Sequence, residues 1–420
     1  MTRDIQETNP LTISYMGSHG DGVSRDDERA VHVPFTLPGE VVDVVQRGER
    51  ARLVAVTSPS AERIAPICQH FGTCGGCSLQ HWDEKPMLAW KGDLVTRALA
   101  RRGVSTEIGA AVAAWGHGRR RATFHARTGP QGFEFGFAQA GSHKIVNIVE
   151  CPVLSPGLQA ALPRLRALAQ GLAPKSDTID LAVTETPTGI DVDARNAGKM
   201  DRFERRGLER LGQLAETAQI GRLTLHGDVA VSRASPRVKM GQAIVAIPPG
   251  GFLQATRAGE EALAAKVLEW TAGCKHVADL FSGLGTFALR LKGNAQVTAI
   301  EADAAAVAAM KQASDALAGG KTLTAIVRDL FRAPLTPHEM KGIDAIVFDP
   351  PRAGAEAQAV QIARSKVNLV VAISCDPATF ARDAAVLIEG GFEMVECVAF
   401  DQFRFTSHVE IAAKFVRAKK

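Results

Sequence analysis

Tyrosine is nearly missing: Tyr15 is the only one, and aromatic residues make up 5% of the 420-residue chain. A broad aromatic recognition surface is therefore excluded. No apolar run approaches the roughly 18 residues a membrane-spanning helix needs. The stretch up to Tyr15 has no apolar centre of the kind a secretory leader carries. A cytoplasmic protein with no membrane partner is expected. Neither sign of charge dominates, with 49 Lys+Arg against 45 Asp+Glu and a net charge of +4; this permits nucleic acid as a partner without demanding it. There is no internal repeat and no low-complexity tract. At 46% hydrophobic and 22% charged residues the composition is ordinary for a globular protein, and the length suits two or three domains.

The seven cysteines do not form a disulfide framework. Cys68, Cys74, Cys77, Cys151, Cys274, Cys375 and Cys397 are odd in number, and no secretory leader is expected ahead of them; both fit a reducing compartment. The first three crowd into ten residues, with Gly72, Gly75 and Gly76 between them to let the backbone fold around a centre. Cys151 is the candidate fourth ligand. Four thiolates suit either zinc or an iron–sulfur cluster.

The first fifty-odd residues read as short strands and turns, which suits a small β-barrel. Residues 83–102 carry apolar side chains at helical spacing, among them Met87, Trp90, Leu94, Val95 and Leu99. Strand alternation returns at Phe133, Phe135 and Phe137. Leu181 to Val192 reads as a hairpin turning at Pro187 to Gly189. From about residue 251 the pattern changes: a helix over 256–270 is followed by seven strand candidates, most of the early ones separated by alanine-rich helices. The expectation is a doubly wound α/β unit with a mostly parallel sheet.

Three motifs fall at strand ends in this last part. Asp279-Leu280-Phe281-Ser282-Gly283-Leu284-Gly285-Thr286 follows one strand and opens a helix, and Glu301 ends the next strand, placed to accept both hydroxyls of a ribose. Gly283, Gly285 and Ala288 satisfy the loose dinucleotide fingerprint. Asp279 ahead of the loop is equally typical of S-adenosylmethionine-dependent methyltransferases, and the loop does not separate the two cofactors. Asp349-Pro350-Pro351-Arg352 follows a fully apolar strand, the prolines stiffening the loop that carries Asp349. Cys375 ends the next strand before Asp376-Pro377, a candidate nucleophile at the same edge. The last strand opens Ser407-His408-Val409-Glu410. If it runs antiparallel, Glu410 joins that edge, and a carboxylate there needs a role or a partner.

Together, Phe252-Leu253-Gln254, the glycine loop, Asp349-Pro350-Pro351-Arg352, Ser374-Cys375-Asp376-Pro377 and Ser407-His408-Val409-Glu410 resemble the RNA 5-methyluridine methyltransferase family over nearly the whole chain. Gly20-Asp21-Gly22 and Leu37-Pro38-Gly39-Glu40 resemble a TRAM domain, an RNA-binding OB-like barrel. The resemblance implies a seven-stranded class I methyltransferase (Rossmann-like) domain over 251–420, an OB-like β-barrel over 1–60, and a central α+β iron–sulfur domain over 61–250, with helix 82–103 packing on the catalytic domain. It implies Cys375 as the nucleophile that adds to uracil C6, Glu410 as the base that removes the C5 proton, and Asp349 at the uracil edge or the cofactor's reacting end. The site is expected to favour the Cys375 thiolate. Gln254, Phe281, Thr286, Glu301, Asp329 and Asp349 are expected to contact S-adenosylmethionine. A [4Fe–4S] cluster on Cys68, Cys74, Cys77 and Cys151 is favoured over zinc.

The expected partner is RNA, with Arg119-Arg120-Arg121 as candidate phosphate contacts, and the expected state is a monomer. Members with both a TRAM domain and a cluster mostly act on 23S rRNA, which is favoured over tRNA. An NAD-dependent dehydrogenase and a non-enzymatic RNA-binding iron–sulfur protein are the rival readings. The chain departs from the family's usual pattern at Asp376, where Asn is usual, and at Arg404-Phe405, where Pro-His is usual.

Overall fold

The computed structural model describes residues 8–25, 29–130, 132–172, 178–197 and 205–418. Six short strands between Asn9 and Ser58 form the first sheet, nearly all antiparallel. Along Val41–Arg47, Val42 and Val44 turn inward while Asp43 is partly exposed, the period-two pattern of a half-buried strand. Together with Ile13, Val31, Val33 and Ala51 they fill a small core. The buried Glu40 accepts from the backbone N–H of Leu37 at 2.8 Å and pairs with Arg63. That pair ties the end of this sheet to the segment leading into the cysteines.

The second sheet has seven strands, in the order Ile145–Asn147, Gly132–Ala138, Arg121–Gly129, Ile179–Thr186, Gly189–Arg195, Ile220–Leu225, Asp228–Ser232. Helices Pro156–Leu172 and Arg205–Thr217 contribute to its core. The Phe133/Phe135/Phe137 alternation is real: Phe135 is fully buried, and Phe124 stacks on both Phe135 and Phe137 with centroids 5.1 Å apart. The hairpin at 181–192 is also present, as Ile179–Thr186 paired with Gly189–Arg195. A further hairpin, Arg237–Met240 with Ala243–Ala246, packs Val238, Met240 and Val245 into the same core as the last sheet's Val277 and Val297.

The last sheet runs in the order Leu323–Val327, Gln296–Glu301, His276–Leu280, Ala345–Phe348, Leu369–Ser374, Glu410–Arg417, Phe392–Asp401. The first five strands are parallel, and Glu410–Arg417 lies antiparallel between Leu369–Ser374 and Phe392–Asp401. The central strands are buried on both faces, which is why they read as unbroken apolar runs. An eighth strand, Val112–Ala113, adds parallel to Phe400–Asp401; two residues carry no periodicity from which it could be read. Helix Glu84–Ala100 starts at Asp83, whose side chain accepts from the N–H of Lys85. It packs against helix Pro377–Glu389 and strand Phe392–Asp401, so an early part of the chain completes the last sheet's flank. No helix among the described residues is long and apolar enough to cross a membrane.

Candidate active site

Ligands of open α/β sheets lodge beyond the carboxyl ends of the strands. Here that edge opens into a cavity of about 770 Å³. The glycine loop forms one wall. Gly285 has φ +89, and a Cβ there would lie 2.8 Å from Met310, so neither the backbone nor the space admits a side chain. Gly283 donates its N–H to Glu301 at 2.9 Å, while the other oxygen of Glu301 accepts from Ala302 and Asp303. The Glu301 carboxylate thus fixes the loop from the neighbouring strand. Phe281 adopts a left-handed backbone (φ 58), and its ring lies 5.4 Å from that of Phe331; both line the cavity. Asp279 is fully buried beneath the loop. One of its oxygens accepts from Ala288 and the other has no partner. Burial, with the charges of Asp349 and Glu301, holds its carboxyl well above the usual range.

Asp349 leaves strand Ala345–Phe348 into the two prolines. Gln254 donates to it at 3.1 Å, and Gln402 donates to the Gln254 side-chain oxygen at 2.8 Å. Gln402 is also hydrogen-bonded to Glu410. Burial pushes the Asp349 carboxyl up to about 7, against the Gln254 hydrogen bond. Burial and the charge of Asp349 push Glu410 up to about 8. Two carboxyls poised near neutrality in one cavity can act as acid and base in turn. Cys375 faces the same space. The expectation of a favoured thiolate is corrected: burial, and then the charges of Glu410 and Asp349, push this thiol up to about 11. The thiol is too buried, and too close to two carboxyls, to rest as a thiolate, so attack must be coupled to loss of the proton.

Gln254, Phe281, Glu301, Asp329, Asp349, Cys375 and Glu410 all line the one cavity. Thr286 does not; it lies on the helix side of Gly285, where its carbonyl accepts from Arg290. Asp329 caps the turn that follows it, accepting from the N–H of Phe331 at 2.9 Å. Asp376 caps helix Pro377–Glu389 by accepting from Ala378 and Thr379. Asn and Asp serve equally at such a position, which explains why the departure there is tolerated. Gln402, Arg352 and His408 were not read from the sequence as site residues. Arg352 contacts the His408 ring at 3.2 Å, and burial with the charge of Arg352 lowers His408 to about 4. Arg119 and Arg121 line the cavity, and the Arg121 guanidinium lies 4.6 Å from the centre of the Phe252 ring, which is 61% exposed.

Cys68, Cys74, Cys77 and Cys151 line a second cavity of about 220 Å³. Burial raises the thiols of Cys74 and Cys77, and lifts Cys151 to about 12. Among the described residues no three His, Cys, Asp or Glu side chains converge as a single metal ion would require. The four thiols line this one space together, and no metal centre on them is shown.

Residues 249–418 match the family described as tRNA (Uracil-5-)-methyltransferase. The chain is 45% identical to an uncharacterized RNA methyltransferase of Brucella suis biovar 1, over 99% of each chain. It is 31% identical to a 23S rRNA (uracil(1939)-C(5))-methyltransferase of Salmonella typhi, over 97% of this chain and 96% of that one. Among solved structures, the tRNA (uracil-54, C5)-methyltransferase of Pyrococcus abyssi in complex with S-adenosyl-L-homocysteine superposes with a TM-score of 0.75 at 24% identity, over 97% of this chain and 99% of that one. The shared architecture is an α/β class I methyltransferase fold with an N-terminal β half-barrel domain.

Proposed function

The chain belongs to the RNA (uracil-C5)-methyltransferase family and is S-adenosylmethionine-dependent, and from that premise we propose that it forms 5-methyluridine in 23S rRNA through a covalent bond from Cys375. The dinucleotide reading of the glycine loop falls away with this membership. The observation that carries the proposal is the meeting of Cys375, Asp349 and Glu410, from three separate strand ends, in the cavity that the glycine loop borders.

The chemistry follows from those three groups. Uracil C5 is a weak nucleophile until C6 is attacked. Cys375 gives up its proton to the ionised form of Asp349 and bonds to C6, and the electron pair moves into the C5–C4–O4 system. Asp349, held near 7 by burial, is protonated often enough at neutral pH to donate to the uracil edge as charge builds there. S-adenosylmethionine supplies the methyl group that C5 takes. Glu410 then removes the C5 proton, and the returning electron pair expels Cys375. Covalent catalysis divides one hard step into easier ones. A base inside a duplex cannot reach Cys375, so the target uridine leaves its stack or lies in a loop. Gln254, Phe281, Glu301 and Asp329 form the cofactor side of the cavity on this reading.

Support for rRNA is the likeness to the Salmonella typhi enzyme along the full chain, half-barrel and cysteine segment included. The half-barrel acts as the TRAM-type RNA grip. On this reading Cys68, Cys74, Cys77 and Cys151 hold a [4Fe–4S] cluster, supported by the four thiols around one cavity. Mapping 5-methyluridine in RNA from cells with and without the gene tests the function: one 23S site should vanish on deletion. Loss from tRNA alone overturns the target, and no loss from either overturns the activity on both.

A further inference from the structure

The cysteine cavity and the methyl-transfer cavity share a wall of Arg119, Ala122 and Thr123. Arg119 is the charged member. Its guanidinium lies 5.2 Å from the centre of the Phe403 ring, and its Nε is buried with no hydrogen-bond partner. The groups whose ionised forms would act on it are Cys77, Cys151 and Asp401. A buried cation with an unused donor is costly unless negative charge stands beside it. The backbone makes a second link. Ser78 and Leu79, directly after Cys77, donate their N–H groups to the Phe405 carbonyl at 2.8 and 3.0 Å. Phe405, on a left-handed backbone (φ 66), buries its ring with Leu79, Trp82 and Met87.

Both links end on one loop, residues 402–409, which joins strand Phe392–Asp401 to the strand that Glu410 opens. Lys91, fully buried, closes the ends of that loop: its Nζ donates to Asp401 at 2.6 Å and to the carbonyls of Phe403 and His408 at 3.1 and 3.0 Å. The loop is thus fixed at its base by Lys91, held at Gln402 by Gln254 and at Arg404 by Glu84, and held at Phe403 and Phe405 by the contacts that lead to the cysteines.

We propose that the cysteine-bound cluster positions the loop that carries Glu410, and that Arg119 is the positioning residue between them. The inference rests on the reading of the four cysteines as cluster ligands. A cluster with four thiolates places negative charge on one side of Arg119; the guanidinium held there keeps Phe403 against its other side. Without that charge the guanidinium has no partner for its Nε, and the loop loses one of its two links to the cysteine segment. No electron transfer is involved.

The test uses the full chain, purified anaerobically: wild type, wild type stripped of iron by a chelator, Arg119→Gln and Arg119→Lys. Hydrogen exchange in peptides covering 402–409 should quicken in the stripped protein and in Arg119→Gln, while the glycine loop at 279–286 keeps its rate. kcat should fall by roughly tenfold to a hundredfold, the scale of a misplaced catalytic group, with the KM for S-adenosylmethionine unchanged. Arg119→Lys should keep the iron and regain only part of kcat, because an ammonium lacks the planar face that rests on a ring. If Arg119→Gln does not fold, Phe403→Leu serves, removing the ring and leaving cation and cysteines in place, with the same quickening expected. Wild type without iron overturns both this inference and the cluster. Iron-loaded wild type, with unchanged loop exchange after stripping and in the Arg119 or Phe403 variants, overturns the coupling alone.

Discussion

Gln402 donates to the side-chain oxygen of Gln254 at 2.8 Å, and through that bond the two buried carboxyls of the active site, Asp349 and Glu410, share one hydrogen-bonded chain. Amides are suited to this place: Gln254 offers a donor to Asp349 and Gln402 one to Glu410, and neither carries a charge of its own. The chain favours the ionised forms that burial opposes.

Gln402→Leu should therefore raise the pKa of Glu410 further. The hydrogen bond is one of the two influences that lower it, the other being the charge of Arg352. Activity that needs ionised Glu410 rises with pH through its pKa, so the rising limb of the kcat profile should move to higher pH. At pH 7 the rate should fall by roughly tenfold, since one unit of pKa is about 1.4 kcal/mol. An unmoved profile, from steady-state rates between pH 6 and 9, would break the link between Gln402 and the base.

Glu301→Ala should weaken S-adenosylmethionine binding. The ribose hydroxyls would lose a charged acceptor, and the N–H groups of Gly283, Ala302 and Asp303 would lose theirs. Hydrogen bonds to a charged group are worth about 1.5–3 kcal/mol each. The loss should appear in titration calorimetry with folding intact by thermal melt. Unchanged affinity would take Glu301 out of the cofactor site.

Cofactor binding should release protons near pH 7. There Asp349, at about 7, is about half protonated and Glu410, at about 8, is mostly protonated. A sulfonium cation brought beside them favours their ionised forms, lowers both values and drives protons into the buffer. S-adenosylhomocysteine, whose sulfur is neutral, should release fewer. At pH 9 both carboxyls are already ionised and the difference should vanish. Calorimetry in two buffers of different ionisation enthalpy counts the protons. Equal release by the two ligands at pH 7 would mean that the sulfonium does not sit beside this pair.

How much of this could be read from the residues depends on what each position reports. The parallel strands were legible because burial on both faces leaves continuous apolar runs, and the strand-end motifs were legible because Gly, Pro and Cys have narrow physical uses. Strand Val112–Ala113 was not, since two residues have no period. Thr286 was assigned to the cofactor side by the family resemblance, but the turn at Gly285 takes it out of the cavity wall. The raised Cys375 thiol depends on burial and then on Glu410 and Asp349, all of which only folding brings to it. Lys91 left a signal that could have been used: it interrupts the apolar face of Met87, Trp90, Leu94 and Val95, and a cation there needs a buried partner, which is Asp401.

The order of chemical steps makes the last prediction. If Cys375 attacks first and Glu410 acts later, their variants should fail differently. Cys375→Ala cannot bond to RNA, so no protein–RNA adduct should survive denaturing electrophoresis. Glu410→Gln keeps the nucleophile and is nearly isosteric, so it also keeps the hydrogen-bonded chain to Gln402. Burial is the main cause of the raised Cys375 thiol, and the charge of ionised Glu410 adds to it, so losing that charge should leave addition at least as easy as before. Methyl transfer should follow, after which the C5 proton has no base and elimination stalls. A methylated adduct, dependent on S-adenosylmethionine and resistant to denaturant, should accumulate. Turnover should fall by about 10²–10⁴-fold, the usual cost of losing a general base. Wild-type turnover with no trapped adduct would show that Glu410 is not the base, and Asp349, the other buried carboxyl in the cavity, would take its place in the same experiment as Asp349→Asn.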